Sequence, residues 1–201
     1  MSGSQSLPER LSGPVLDVAP TLLGAVIRHG SVAVRLSEVE AYAGPDDPGS
    51  HAYRGQTPRN SVMFGPAGHL YCYFTYGMHV CANVTVGPAG QPSAVLLRAG
   101  EVIEGVDEAR TRRPGAVDRD LARGPARLVR ALGLDLKDNG ADLSQGPVTL
   151  SLGPAPETLE SGPRVGLRLA PDRPWRFWIP GDPTVSVYRR SPKAAPIGAP
   201  E

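Results

Sequence analysis

The segment Glu38-Val-Glu-Ala-Tyr42 sets two carboxylates and a phenol two residues apart. In an extended strand, residues two apart share a face, so Glu38, Glu40 and Tyr42 point the same way. Two carboxylates this close repel, which raises one pKa and suits a general acid or base. A solvent-facing strand edge carrying two charges would show the same pattern. The second group is aromatic. Three of the six tyrosines fall between positions 71 and 76. Tyr71 and Tyr73 share one strand face, Tyr76 sits at the turn beyond, and His51 and Tyr53 lie in a long loop upstream. Such a set packs a core, where buried hydroxyls need partners, or grips a flat base by stacking. A cationic, alkylated base would gain further from cation–π attraction. A tyrosine at a turn tip could wedge into a base stack. Arg98 closes the apolar run Ala94-Val-Leu-Leu-Arg98 and needs a carboxylate or phosphate; a surface ion pair is the plainer alternative.

These residues need a frame. Positions 25–29, the turn at Gly30 and positions 31–42 read as strand, turn, strand. Residues 43–69, rich in Gly, Pro, Asp and Ser, form a long loop, a class that is usually functional or disordered. Strands follow at 70–75, 80–86 and 94–99. Helices are expected at 102–112 and at 125–132, the latter with Pro at its first turn and Gly133 as its stop. Further strands are expected at 148–152, 165–169 and 176–179. Asp17 is a candidate N-cap for a short helix ended by Gly24. Residues 1–13 read as a flexible lead, 14–190 as one domain and 191–201 as a flexible tail. The fold class is α+β, a single domain built on largely antiparallel strands with a few short helices.

A chain of 201 residues, 40% hydrophobic and 20% charged, can bury a core without a disulfide or metal staple. No apolar run approaches the roughly 18 residues of a membrane span, and positions 1–10 lack the apolar centre of a signal peptide. A cytoplasmic location is expected. Cys72 and Cys81 lie among apolar residues and read as buried free thiols. His29, His51, His69 and His79 show no zinc-ligand spacing, so neither metal nor cofactor is expected. The net charge of +1 argues against strong nucleic-acid binding. Its distribution argues otherwise: seven arginines fall between positions 110 and 130, opposed only by Asp118 and Asp120. They form a solvated helical face or a phosphate-binding surface.

Several motifs occur in order: Val39-Glu-Ala-Tyr42, His51-Ala-Tyr-Arg-Gly-Gln-Thr-Pro-Arg-Asn60, Met63-Phe-Gly65, Gly68-His-Leu-Tyr-Cys-Tyr73, Tyr76-Gly-Met78 and Cys81-Ala-Asn83. Together they closely resemble the alkyladenine, or 3-methyladenine, DNA glycosylase family, as a bacterial-type member. The dense match covers about residues 38–100. A weaker one runs from about 14 to 190 through Arg123-Gly-Pro-Ala-Arg-Leu128, Arg164-Val-Gly166 and Pro183-Thr-Val-Ser-Val187. The resemblance implies a curved antiparallel sheet within one glycosylase domain. It implies Glu40 as the water-activating base, with Arg98 and a backbone carbonyl near Val185 holding the same water. Tyr42 would stack on one face of a flipped base, with His51 and Tyr73 on the other. Asn83 would test the purine 2-position against an exocyclic amine. Tyr76 would fill the hole left in the duplex, and Arg59, Tyr71 and Met78 would contact DNA. The implied partner is double-stranded DNA bearing damaged purines of the 3-methyladenine, hypoxanthine and ethenoadenine class. The enzyme would act as a monomer beside the nucleoid, without a membrane. The motif region has no lysine, so no Schiff base is indicated and simple hydrolysis to an abasic site is expected. A damage-recognising module without turnover, or an RNA- or nucleoside-directed N-glycosidase, would share the pocket chemistry. The intact Glu40 and Arg98 argue against the first, and the wedge and phosphate-binding features against the second.

Overall fold

A computed structural model describes residues 5–75 and 77–194. Residues 1–4, Tyr76, expected to fill the hole in the duplex, and residues 195–201 lie outside the described residues. Strand β2 (Val32–Tyr42) is the spine. One edge pairs along its length with β5 (Ala94–Glu104). The other edge is shared: β1 (Val26–His29) takes residues 32–35 and β8 (Arg176–Trp178) takes Glu38, Val39 and Glu40. With β3 (Leu70–Thr75), β4 (His79–Thr85), β6 (Val148–Ser151) and β7 (Glu160–Gly162), the described residues form one eight-stranded antiparallel sheet, ordered β3-β4-β5-β2-β1-β6, with β8 against β2 and β7 on the far side of β8. Helices α1 (Leu7–Leu11), α2 (Val15–Val18), α3 (Val106–Arg112) and α4 (Pro125–Leu132) complete the α+β arrangement.

One irregularity in β2 decides which way the chemistry faces. Val32, Val34 and Leu36 point into the main core, and so do Val39 and Ala41. The inward set changes from even to odd positions between 36 and 39. The register explains the change: Leu36 pairs with Gly100, Glu38 with Ala99 and Val39 with Leu97, so Ser37 and then Arg98 are each an extra residue in their strand. Such bulges re-aim side chains. Without the first, Glu38, Glu40 and Tyr42 would continue the apolar face. Helix α4 packs Leu128, Val129, Ala131 and Leu132 inward and leaves Arg127 and Arg130 exposed. Burial of a leucine such as Leu128 contributes about 1.5–3 kcal/mol.

Four expectations are corrected. The helix expected at 102–112 begins only at Val106, because Val102 and Glu104 extend β5 against Val34 and Ala33. Gly105 breaks the strand at φ 68°, where a Cβ would sit 2.6 Å from the Ser31 carbonyl oxygen. No strand forms at 165–169; the short strand lies earlier, at Glu160–Gly162. Leu7–Leu11 is helical rather than a flexible lead, with Leu11 fully buried in the core. Asp17 lies inside α2, whose N-cap is Pro14.

Candidate active site

The outward face of β2 opens on a cavity of about 230 Å³ lined by Glu40, Tyr42, His51, Tyr73, Asn83 and Arg98, among others. Glu38 and Glu40 are both fully buried, and Arg98 is 5% exposed. The Arg98 bulge lets one guanidinium serve both acids. Its Nε donates to Glu38 Oε1 at 2.8 Å, and its Nη1 lies 3.3 Å from Glu40 Oε1. Glu38 is further held by the Ser186 backbone N–H at 2.7 Å and by Arg176 Nη1 at 3.3 Å. It is thus a structural anchor, with no free edge towards the cavity comparable to that of Glu40. Glu40 accepts the Val165 N–H at 2.7 Å on Oε1 and the Tyr42 hydroxyl at 2.9 Å on Oε2. A carboxylate has about four acceptor positions, so capacity for a water remains. Burial works against the Arg98 charge, but Glu40 and Glu38 outweigh it and raise the guanidinium pKa.

Two groups of aromatic side chains line the cavity with this carboxylate. Tyr42 forms one. Its ring is backed by the Arg164 guanidinium, 4.7 Å from the centroid, which also lies 5.0 Å from the Trp175 ring. Arg164 is 1% exposed and pairs with Asp47 through two hydrogen bonds of 2.5 and 2.7 Å. Its Nη1 also donates to the Ala41 carbonyl at 2.9 Å. Burial, then the Glu40 charge, push the Tyr42 phenol well above its ordinary pKa, so it stays a donor. The other group is His51 edge-on to Tyr73, with centroids 4.4 Å apart. Burial drives the Tyr73 phenol pKa up, assisted by its hydrogen bond to the Cys81 sulfur. Tyr71 lies behind, its hydroxyl 3.0 Å from His51 Nδ1 and its pKa pushed by burial to about 12. Burial and then Arg59 lower the His51 pKa. A neutral ring with Nδ1 accepting from the Tyr71 hydroxyl satisfies both groups. Asn60 ties the loop down, its side chain donating to the carbonyls of His51 and Gly55.

A family model described as methylpurine-DNA glycosylase matches residues 9–183. The chain belongs to the methylpurine-DNA glycosylase family. It is similar to a protein of Nocardia farcinica, 57% identical over 186 residues that cover 88% of each chain. A Leifsonia xyli relative is 55% identical, covering 88% of this chain and 89% of its own. One from Streptomyces avermitilis is 55% identical, covering 90% of each. All three are provisionally named 3-methyladenine DNA glycosylases.

Within this family frame, the structure brings Glu40, Arg98, Tyr42, His51, Tyr73 and Asn83 around one cavity. Asn83 is 4% exposed, and its Nδ2 donates to the Tyr71 carbonyl at 3.0 Å. Met78 stands apart at the β3–β4 hairpin tip, 69% exposed. Tyr71, expected to contact DNA, is 1% exposed and lines the pocket. Arg59 donates to the Phe74 carbonyl at 2.8 Å and lies 5.7 Å from the Tyr73 ring centroid, bracing the aromatic wall. The Val185 carbonyl accepts Arg123 Nε at 2.8 Å, and the backbone group that hydrogen-bonds Glu40 is the Val165 N–H. Sequence reasoning named Arg164-Val-Gly166 only within the weaker match and missed both its contact with Glu40 and the Arg164–Asp47 anchor that holds it. The available signal was an arginine in a Gly/Pro-rich stretch, but its partner is more than a hundred residues away. Among the described residues no cluster of three or more His, Cys, Asp and Glu side chains could hold a metal ion. No helix among them is long and apolar enough to cross a membrane.

Proposed function

We propose that this methylpurine-DNA glycosylase family member takes an alkylated or deaminated purine out of the duplex and hydrolyses its bond to the deoxyribose. The observation that supports this reading is a fully buried carboxylate, Glu40, lining one cavity together with Tyr42, His51 and Tyr73. The extruded base lies between the aromatic walls. Neutral His51 adds a flat surface without repelling a cationic, alkylated purine, which the tyrosine faces attract. Glu40 accepts a proton from water as the water oxygen bonds C1′ and the C1′–N bond breaks, its electron pair leaving with the base. Its charge also stabilises the positive charge developing on the sugar. Arg98 and the Val165 N–H fix the carboxylate's orientation throughout. Asn83 limits bases carrying a 2-amino group. Exposed Met78 and Phe74 flank the turn expected to enter the vacated base stack. No lysine stands in this machinery, and the reaction ends at the abasic site.

Duplexes bearing 3-methyladenine, hypoxanthine or 1,N6-ethenoadenine test the reading. The protein should release free base from at least one, and strands should break only after alkali. No free base from any duplex would sink the proposal, and strand breaks without alkali would remove its monofunctional part.

A further inference from the structure

Beside the base pocket lies a second cleft, of about 300 Å³, which shares Arg98 and Val165 with it. Its sides carry Arg123, Arg127 and Arg189. The only acid lining it is Asp120, already 3.3 Å from Arg123 Nη1. Arg127 and Arg189 are exposed, and neither guanidinium has a carboxylate partner among the described residues. Three arginines earlier in the basic stretch differ. Arg110 is paired with Asp107 and Asp118, Arg112 with Glu108, and Arg113 reaches the Leu121 carbonyl. Helix α4 begins at this cleft, and its N-cap, Gly124, has no side chain with which to satisfy the first free N–H groups.

Two unneutralised guanidiniums and the positive end of a helix in one concavity make an anion site. The neighbouring anion that a flipped nucleotide must bring is its own backbone phosphate. We infer that the Arg123–Arg127–Arg189 cleft takes a phosphodiester directly flanking the extruded nucleotide. This inference rests on the glycosylase reading and gives the basic stretch a divided role: its first part pairs internally, and Arg123 and Arg127 join Arg189 to grip the strand. Arg123 shapes the site, since its Nε is spent on the Val185 carbonyl, and Arg127 and Arg189 supply the free charge. The grip holds the sugar against Glu40 after the base has left the stack.

The test is a binding measurement on the full chain. The duplex carries one tetrahydrofuran abasic analogue, which is not hydrolysed, and each phosphate near it is replaced in turn by a neutral methylphosphonate. In the wild type, one flanking replacement should weaken binding roughly tenfold, as loss of a charged hydrogen-bonded contact does. In the Arg127→Ala/Arg189→Ala double variant, that replacement should cost nothing further, and the slope of log Kd against log salt should fall by about 0.9 for the lost phosphate contact. Arg130→Ala, an exposed arginine of α4 outside the cleft, should keep both the sensitivity and the slope. The inference is overturned if the wild type shows no sensitive flanking phosphate, if the double variant keeps the wild-type sensitivity, or if Arg130→Ala loses it equally. Base release from a hypoxanthine duplex, measured in parallel, reports on the glycosylase reading separately, because the methylphosphonate series reads binding alone.

Discussion

His51 is held neutral by what surrounds it. Burial and the Arg59 charge both disfavour the imidazolium, and Tyr71 presents a hydroxyl to Nδ1. The folded-state pKa therefore lies below the ordinary 6.5, and the unfolded chain binds more protons in the window between them. His51 leaves stability unaffected above pH 6.5 and reduces it as pH falls below that value. An NMR titration should place the His51 midpoint below 6.5, and Arg59→Ala should raise it; a midpoint at or above 6.5 would contradict the electrostatic account. Asn83 gives a second prediction at this scale. Its amide is fixed by the Tyr71 carbonyl, so the pocket floor is rigid against a purine 2-amino group. Asn83→Ser should raise release of 7-methylguanine relative to hypoxanthine by roughly 10-fold, within what a single pocket contact controls. An unchanged ratio would remove Asn83 from specificity. The chemistry of these residues was legible from their types and two-residue spacing. Their state was not, since it depends on burial and on partners from distant segments.

The elements carry the geometry through an added residue and an internal anchor. Ser37 is the extra residue that turns Glu38, Glu40 and Tyr42 away from the core face begun by Val32, Val34 and Leu36. Alternation in the sequence correctly put the two acids and Tyr42 on one face, yet gave no sign of the parity change, because a bulge exists only in the pairing with β5. The second device is Arg164, which ties the 163–167 segment to Asp47 and the Ala41 carbonyl while its plane backs Tyr42. Gly49 permits this packing: a Cβ there would come within 2.9 Å of Arg164 Nη2. Arg164→Met leaves Asp47 buried and unpaired and should cost about 3–5 kcal/mol in denaturant unfolding. A loss below about 1 kcal/mol, the scale of an exposed pair, would show that the anchor is not what holds this segment. A strand was expected at 165–169 because its residues alternate, but the Val165 N–H goes to Glu40 instead of to a neighbouring strand.

Across the whole molecule, a net charge of +1 conceals a division of labour. Arginines of α3 are neutralised by acids of their own neighbourhood, whereas Arg127 and Arg189 open beside the base pocket without such partners. Arg110→Ala should therefore leave duplex affinity within about twofold of wild type, as expected for an exposed pair already satisfied internally. A tenfold loss would relocate the DNA-facing surface to α3. The antiparallel sheet and most strand positions were readable from alternation and turn residues. The ends of β5 and the path of 163–175 were not, since long-range pairing decided them. The account stands or falls on the Glu40 carboxylate, and the direct test is single-turnover base release by Glu40→Gln on a hypoxanthine duplex, with binding to the same duplex measured alongside. Release should fall by about 10²–10⁴-fold, the scale of general-base catalysis, while binding persists. Release at the wild-type rate would contradict the central claim.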